Sequence, residues 1–140
     1  MSQYDTKQAL ITNLVSAGIV PATDIAFENK KFEPAGKDLW LAAYFIPASS
    51  EATGKTVESS VEERGIFQVS VFVALNGGSY DNLQLQTVGA VLSAFPESGT
   101  TSYNGQEVDF LESSVNGGQE SDAWFQRDIS INYLTFSTRV

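Results

Sequence analysis

Carboxylates are the main chemistry this chain offers: seventeen Asp and Glu stand against eight Lys and Arg, with no His and no Cys in 140 residues. A Ser-His or Cys-His nucleophile cannot be assembled without an imidazole. The usual zinc sites need thiolates or imidazoles and are excluded too. What remains is paired-carboxylate hydrolysis, for which Glu62-Glu63 is the adjacent pair to consider. Neighbours on an extended strand point to opposite faces, so two such acids do not converge on one bond. They read as solvated charge.

Three other stretches invite a chemical reading, and each falls short. "NGGSYDN" sets glycines before a helix start, where backbone N–H groups can hold an anion. It lacks the Lys-Ser/Thr of a phosphate loop and the GxGxxG spacing, so it reads as a turn into a helix. "EVDFLES" carries Glu107, Asp109 and Glu112 but reads as a strand, without the glycine that a calcium loop needs. Trp40, Trp124, Tyr44 and Tyr133 could stack a sugar, yet aromatics on alternating strand positions more often fill a core or an interface.

The elements that carry these residues can be read from periodicity. "YDTKQALITNLVSAG" predicts a helix with Leu10, Ile11, Leu14 and Val15 on one face. Asp5 or Thr6 would cap its start, and Gly18 and Pro21 would end it. "TDIAFEN" is a short strand candidate. "LWLAAYFIP", residues 39–47, is apolar on both alternating faces, as in a strand covered on both sides or with one face in a subunit interface; Pro47 would close it. "GIFQVSVFVAL" follows, with Phe67, Val69, Val71, Val73 and Leu75 facing one way and a half-exposed row of Ile66, Gln68, Ser70 and Phe72 facing the other. A second helix would have Ser79 as N-cap, Asp81 in its first turn, and Leu85, Val88, Val91, Leu92 and Phe95 on its buried stripe. Gly89 inside it would serve a close approach to the sheet. Asn104-Gly105 signals a type I′ hairpin, "NGGQES" a turn, and "WFQRDISINYLTFST" a last strand burying Ile129, Ile131 and Tyr133. The fold class that follows is α+β: a mixed, mostly antiparallel sheet with two helices on one face.

One domain spanning 1–140 fits this length, and the 42% hydrophobic content supports one real core. No apolar run is long enough to cross a bilayer as a helix. The opening "MSQYDTKQAL" has neither the basic start nor the apolar run of a signal peptide. The net charge of −9 is unevenly placed: residues 1–37 balance four acids with four lysines, and residues 38–140 carry all of the excess. Such a surface repels phosphate backbones and anionic membranes. The polar stretch 48–64, "ASSEATGKTVESSVEER" with net charge −3 before Arg64, reads as a long mobile loop between two central strands. Loops of that length in compact domains are usually functional or disordered.

Read in order, the segments resemble the tail terminator proteins of long-tailed bacteriophages, the group similar to the lambda tail protein U. The resemblance rests on the helix "QALITNLVSAG", then "IAFENKKFEP" with Asn29 and Phe32–Pro34 before "DLWLAAYFIP", then the polar insert closing on Arg64-Gly65 and "IFQVSVFV". It continues with the glycine turn and helix "NGGSYDNLQLQTVGAVLSAF" and ends on "AWFQRDISINYLTF". It implies a non-enzymatic virion protein, without cofactor or metal, that forms a hexameric ring from subunits monomeric before assembly. That ring caps the head-proximal end of the tail tube, ends tube growth, and joins the neck or head-completion protein. DNA passes the lumen without specific binding, no membrane is involved, and assembly takes place in the host cytoplasm.

Candidates for assembly contacts are Lys30, Lys31, Trp40, Tyr44, Glu51, Lys55, Glu58, Glu62, Glu63, Arg64, Trp124 and Arg127. The insert is expected to order against the tube or a neighbouring subunit, and Lys30 and Lys31 to meet an acidic part of the next copy. The alternatives are another phage neck or tail-tube component and a small-ligand binding module whose aromatic strands form the pocket.

Overall fold

The computed structural model describes residues 3–52, 60–75 and 82–138. Helix α1 (Gln3–Ser16) buries Thr6, Ala9, Leu10 and Leu14 along one face, with Ile11 and Val15 flanking it. It begins before the expected caps. Asp5 therefore lies in the first turn, where a carboxylate favours the positive end of the helix dipole, and both Asp5 and Thr6 are buried. Gly18 ends the run at φ +68°, and its N–H donates to the Val15 carbonyl at 3.1 Å. That left-handed conformation costs glycine least, which is why it closes helices.

Seven strands follow: β1 (Ile25–Phe27), β2 (Leu39–Ala52), β3 (Ser60–Ala74), β4 (Thr100–Tyr103), β5 (Gln106–Val115), β6 (Gln119–Ser121) and β7 (Trp124–Thr138). They form one sheet in the order β1-β2-β3-β7-β5-β4, with β6 paired to β7 beyond β5. Among the described residues only the β1–β2 pair is parallel; every other pairing is antiparallel. The β4–β5 turn is the expected one, with Asn104 at φ +51° and Gly105 at φ +82°, the mirror-image turn whose twist suits a hairpin.

Along the central strands the period-two alternation sorts residues into two faces. Leu41 and Ala43, Phe67, Val69 and Val71, Ile129, Ile131 and Tyr133, and Val108 and Phe110 all face the helices. They pack under Ala9, Leu10 and Leu14 of α1, Val88 and Val91 of α2 (Asn82–Ala94), and Phe95. Phe95 bridges Phe67 and Phe110 with ring centroids 5.6 and 5.0 Å away. Each such side chain taken out of water contributes about 1.5–3 kcal/mol. Gly65 lies in the same face opposite Tyr133; a Cβ there would stand 2.5 Å from the tyrosine Oη and 2.6 Å from the Ile46 carbonyl oxygen. The missing side chain lets the tyrosine ring cross the glycine.

Several expectations are corrected. Pro47 does not close its strand: β2 runs on to Ala52, with a register shift between Pro47 and Ser49. A bulge is where a residue without an N–H does least damage to a ladder. Most of the described part of the 48–64 stretch is therefore strand rather than irregular loop. Ser49–Ala52 pair with Val61–Arg64, and β3 there also pairs with the end of β7. Residues 53–59 lie outside the described ones. In α2 the inward residues are Gln84, Thr87, Val88 and Val91, whereas Leu85 is 47% exposed. Gln84 takes that place because its amide donates to the Val71 and Phe125 carbonyls, both at 2.9 Å, and its carbonyl accepts from Arg127 Nε at 3.1 Å. Gly89 is exposed, with nothing within 4 Å of an added Cβ, so it makes no close approach to the sheet. Ser79 and Asp81 lie outside the described residues. Ser70 and Phe72 are buried rather than half-exposed, Leu75 falls just past the end of β3, and the "NGGQES" turn contains β6.

Candidate assembly surfaces

Both α-helices pack on one face of the sheet, and among the described residues no helix lies over the other face. The second alternation of the strands lines this face in rows. Trp40 lies beside Phe72 and Gln126, Ala42 beside Ser70 and Asp128, Tyr44 beside Gln68 and Ser130, and Ile46 beside Ile66 and Asn132. Leu134 and Phe136 extend it along β7. At one end the aromatic residues form a packed group: Trp40 stacks on Phe72 at 4.0 Å, Phe32 leans on it at 5.0 Å, and Trp124 meets it edge-on at 5.8 Å. Within this group the Trp40 Nε1–H is buried and has no acceptor among the described residues.

The middle of the face is polar and internally satisfied. Ser70 Oγ donates to Asp128 Oδ1 at 2.6 Å, Gln126 Nε2 donates to the same oxygen at 2.8 Å, and Gln68 Nε2 donates to Ser70 Oγ at 3.2 Å. The hydroxyl of Tyr44 beside this row is held above its ordinary pKa, first by burial and then by the negative charges of Asp128 and Glu28. At the far end the face turns apolar and open: Tyr44 is 36%, Ile46 42% and Phe136 46% exposed.

The two edges of the sheet differ in charge. Beside β1 a groove of about 300 Å³ is floored by Ile25, Phe27 and Phe32 and rimmed by Lys30, Lys31 and Lys37, with Glu33 as its acid. Lys37 Nζ is already paired with Asp24 Oδ1 at 2.6 Å. Across the molecule, where β5 continues past β4, a shallow cleft of about 510 Å³ is floored by Phe110, Leu111 and Leu134 and rimmed by Glu97, Asp109 and Glu112.

The twelve sequence candidates are spread over several surfaces. Trp40, Tyr44 and Trp124 belong to the uncovered side of the sheet, and Lys30 and Lys31 to the basic edge groove. Glu62 and Arg64 sit together on β3, joined at 2.8 Å. Glu63 points to the helix side, where its charge adds to the burial that pushes the Tyr133 hydroxyl up to about 12. Arg127 also faces the helices, bonded to Gln84 and set 5.9 Å over Phe125. Glu51 lies opposite Glu62 in the β2–β3 register. Lys55 and Glu58 lie outside the described residues. Ile46, Ile66, Phe72, Leu134 and Phe136 were missing from the candidates, although the two-sided apolar alternation of "LWLAAYFIP" already marked a surface of this kind.

Among the described residues no group of three or more acids, histidines or cysteines could hold a metal ion, and no helix is long and apolar enough to cross a membrane. The sequence profile described as "Phage tail terminator protein" matches residues 6–133. The chain belongs to the phage tail terminator family. It is thus a bacteriophage virion structural protein of the tail, in a family that is structural rather than enzymatic. A solved structure whose title names no function superposes with a TM-score of 0.74 at 26% identity, covering 96% of both chains. A chain of the virion of a native gene transfer agent particle shares the fold, with a TM-score of 0.65 at 15% identity and the same 96% coverage of each. No curated protein sequence matches the chain.

Proposed function

We propose that copies of this subunit close into a ring on the head-proximal end of the tail tube, stop its growth, and offer the opposite surface to the neck. The observation that carries this reading is the uncovered sheet face. An α/β layer normally buries both sides of its sheet or keeps the outer one polar. Here the outer side is framed by a packed aromatic group at one end and by exposed Tyr44, Ile46 and Phe136 at the other. Covering these residues releases water from apolar surface and favours association. The net charge of −9 suits a ring through which DNA passes without sticking.

The 48–64 stretch is the segment that meets the tube in this reading. Its described strand ends, Ser49–Ala52 and Val61–Arg64, carry mostly polar residues. Deleting residues 51–59 leaves folding intact and impairs tail joining; normal infectious particles from that deletion would remove the stretch from the account. The ring itself is tested by assembling tail tubes with and without the protein and measuring their lengths by electron microscopy. Tubes that stop growing once the protein is added support capping. Tubes that lengthen equally in both samples argue against it.

A further inference from the structure

Three of the eight basic residues of a chain with net charge −9 gather at one edge of the sheet. There Lys30 and Lys31 are exposed above an apolar floor that includes Phe27 and Phe32. The opposite edge has the complementary build: Glu97, Asp109 and Glu112 around Leu111 and Leu134, with no base among the lining residues. Among the described residues none of these two lysines and three acids forms an ion pair within the subunit.

We infer that the two edges meet on neighbouring copies, the lysine-rimmed groove beside β1 of one subunit seating against the acidic cleft beside β5 of the next. This rests on the ring reading and adds which sides touch. The sheet order puts β1 and β4 at opposite ends of a six-strand path, roughly 24 Å apart at about 4.8 Å per strand spacing. Two different patches on opposite sides make a heterologous, head-to-tail contact, the kind that closes rings. A two-fold contact of either patch with itself would set like charges together and is disfavoured. The whole-molecule repulsion between acidic copies leaves this groove as the place where local attraction can overcome it. The contact therefore weakens as salt rises.

Charge reversal in two chains gives the test. One chain carries Lys30→Glu and Lys31→Glu, so both its edges are acidic; the other carries Glu97→Lys and Glu112→Lys, so both are basic. All four positions are exposed, so both variants fold. Each alone should need about tenfold or more protein than the unaltered chain to associate in light scattering, and an equimolar mixture should recover association by alternating the two around the ring. Association of either variant alone at the unaltered concentration, or a mixture no better than its parts, overturns the proposal while leaving the ring reading intact. If the unaltered chain does not associate by itself, the absence of cysteine allows a direct probe. Lys31→Cys and Glu112→Cys chains, mixed with a short bismaleimide, should cross-link about fivefold or more above either alone, because contact raises the local thiol concentration. Equal yields in the mixture and the single variants overturn it.

Discussion

The two faces of one sheet are built from alternate residues of the same strands, yet they do different work. On the helix side Phe67, Val69, Val71, Ile129 and Ile131 are fully buried under α1 and α2, and the amide of the buried Gln84 is bonded at both ends. On the other side a satisfied polar row is flanked by a packed aromatic group at one end and by the exposed Tyr44, Ile46 and Phe136 at the other. The first face holds the subunit together. The second is, in the proposed function, the surface that a neighbour covers. Residues of one strand, a single position apart, should therefore answer to different assays.

The largest effect belongs to the covered face. Phe67→Ala should cost about 3–5 kcal/mol in urea unfolding, since it empties the contact between the sheet and Phe95. Gly65→Ala comes next: its Cβ meets the tyrosine hydroxyl and a backbone oxygen, so a loss of about 1–3 kcal/mol is expected. Tyr133 also brings a pH signature. Its hydroxyl stays protonated in the folded state up to about 12, against about 10 when unfolded. Stability is thus fully present below pH 10 and falls as pH rises from there through about 12, because the unfolded chain releases the proton first. A smaller fall of the denaturation midpoint over that window in the Tyr133→Phe variant than in the unaltered chain would confirm the assignment. Gln84→Ala should cost about 1–3 kcal/mol by removing three hydrogen bonds, to the Val71 and Phe125 carbonyls and from Arg127. The smallest change in stability, within about 0.5 kcal/mol, is expected for Phe136→Ser on the open face, with loss of assembly as its main consequence. An equal loss of stability from Phe67→Ala and Phe136→Ser would erase the distinction between the faces.

Much of the covered face was legible in the sequence. The alternation of Phe67 to Val73 and of Ile129 to Tyr133, the face of α1, and the Asn104-Gly105 turn all follow from periodicity and turn chemistry. What escaped has physical reasons. The strand ends at 49–52 and 60–64 have polar residues on both faces, so the period-two signal that marks a half-buried strand is absent there. Pro47 looked like a terminator because a bulge cannot be foreseen from a proline alone. Gln84 was passed over for Leu85 because hydrophobicity ranks leucine inward, whereas here the Val71 and Phe125 carbonyls accept from an amide. The candidate assembly surfaces were partly visible: Trp40 and Tyr44 stand out as aromatic strand residues, and Lys30 and Lys31 as local charge. Arg127 shares the charge but faces Gln84 inside the subunit, a placement that only the strand register reveals.

The central claim is that this subunit is complete only beside copies of itself. Light scattering behind size exclusion, over a wide range of protein concentration and with tail tubes added at the lowest concentration, tests it most directly. A shift from the mass of one chain to a closed assembly of six, stable against further growth, is the predicted result. A single chain at every concentration, with tubes or without, or growth that never closes, would contradict it.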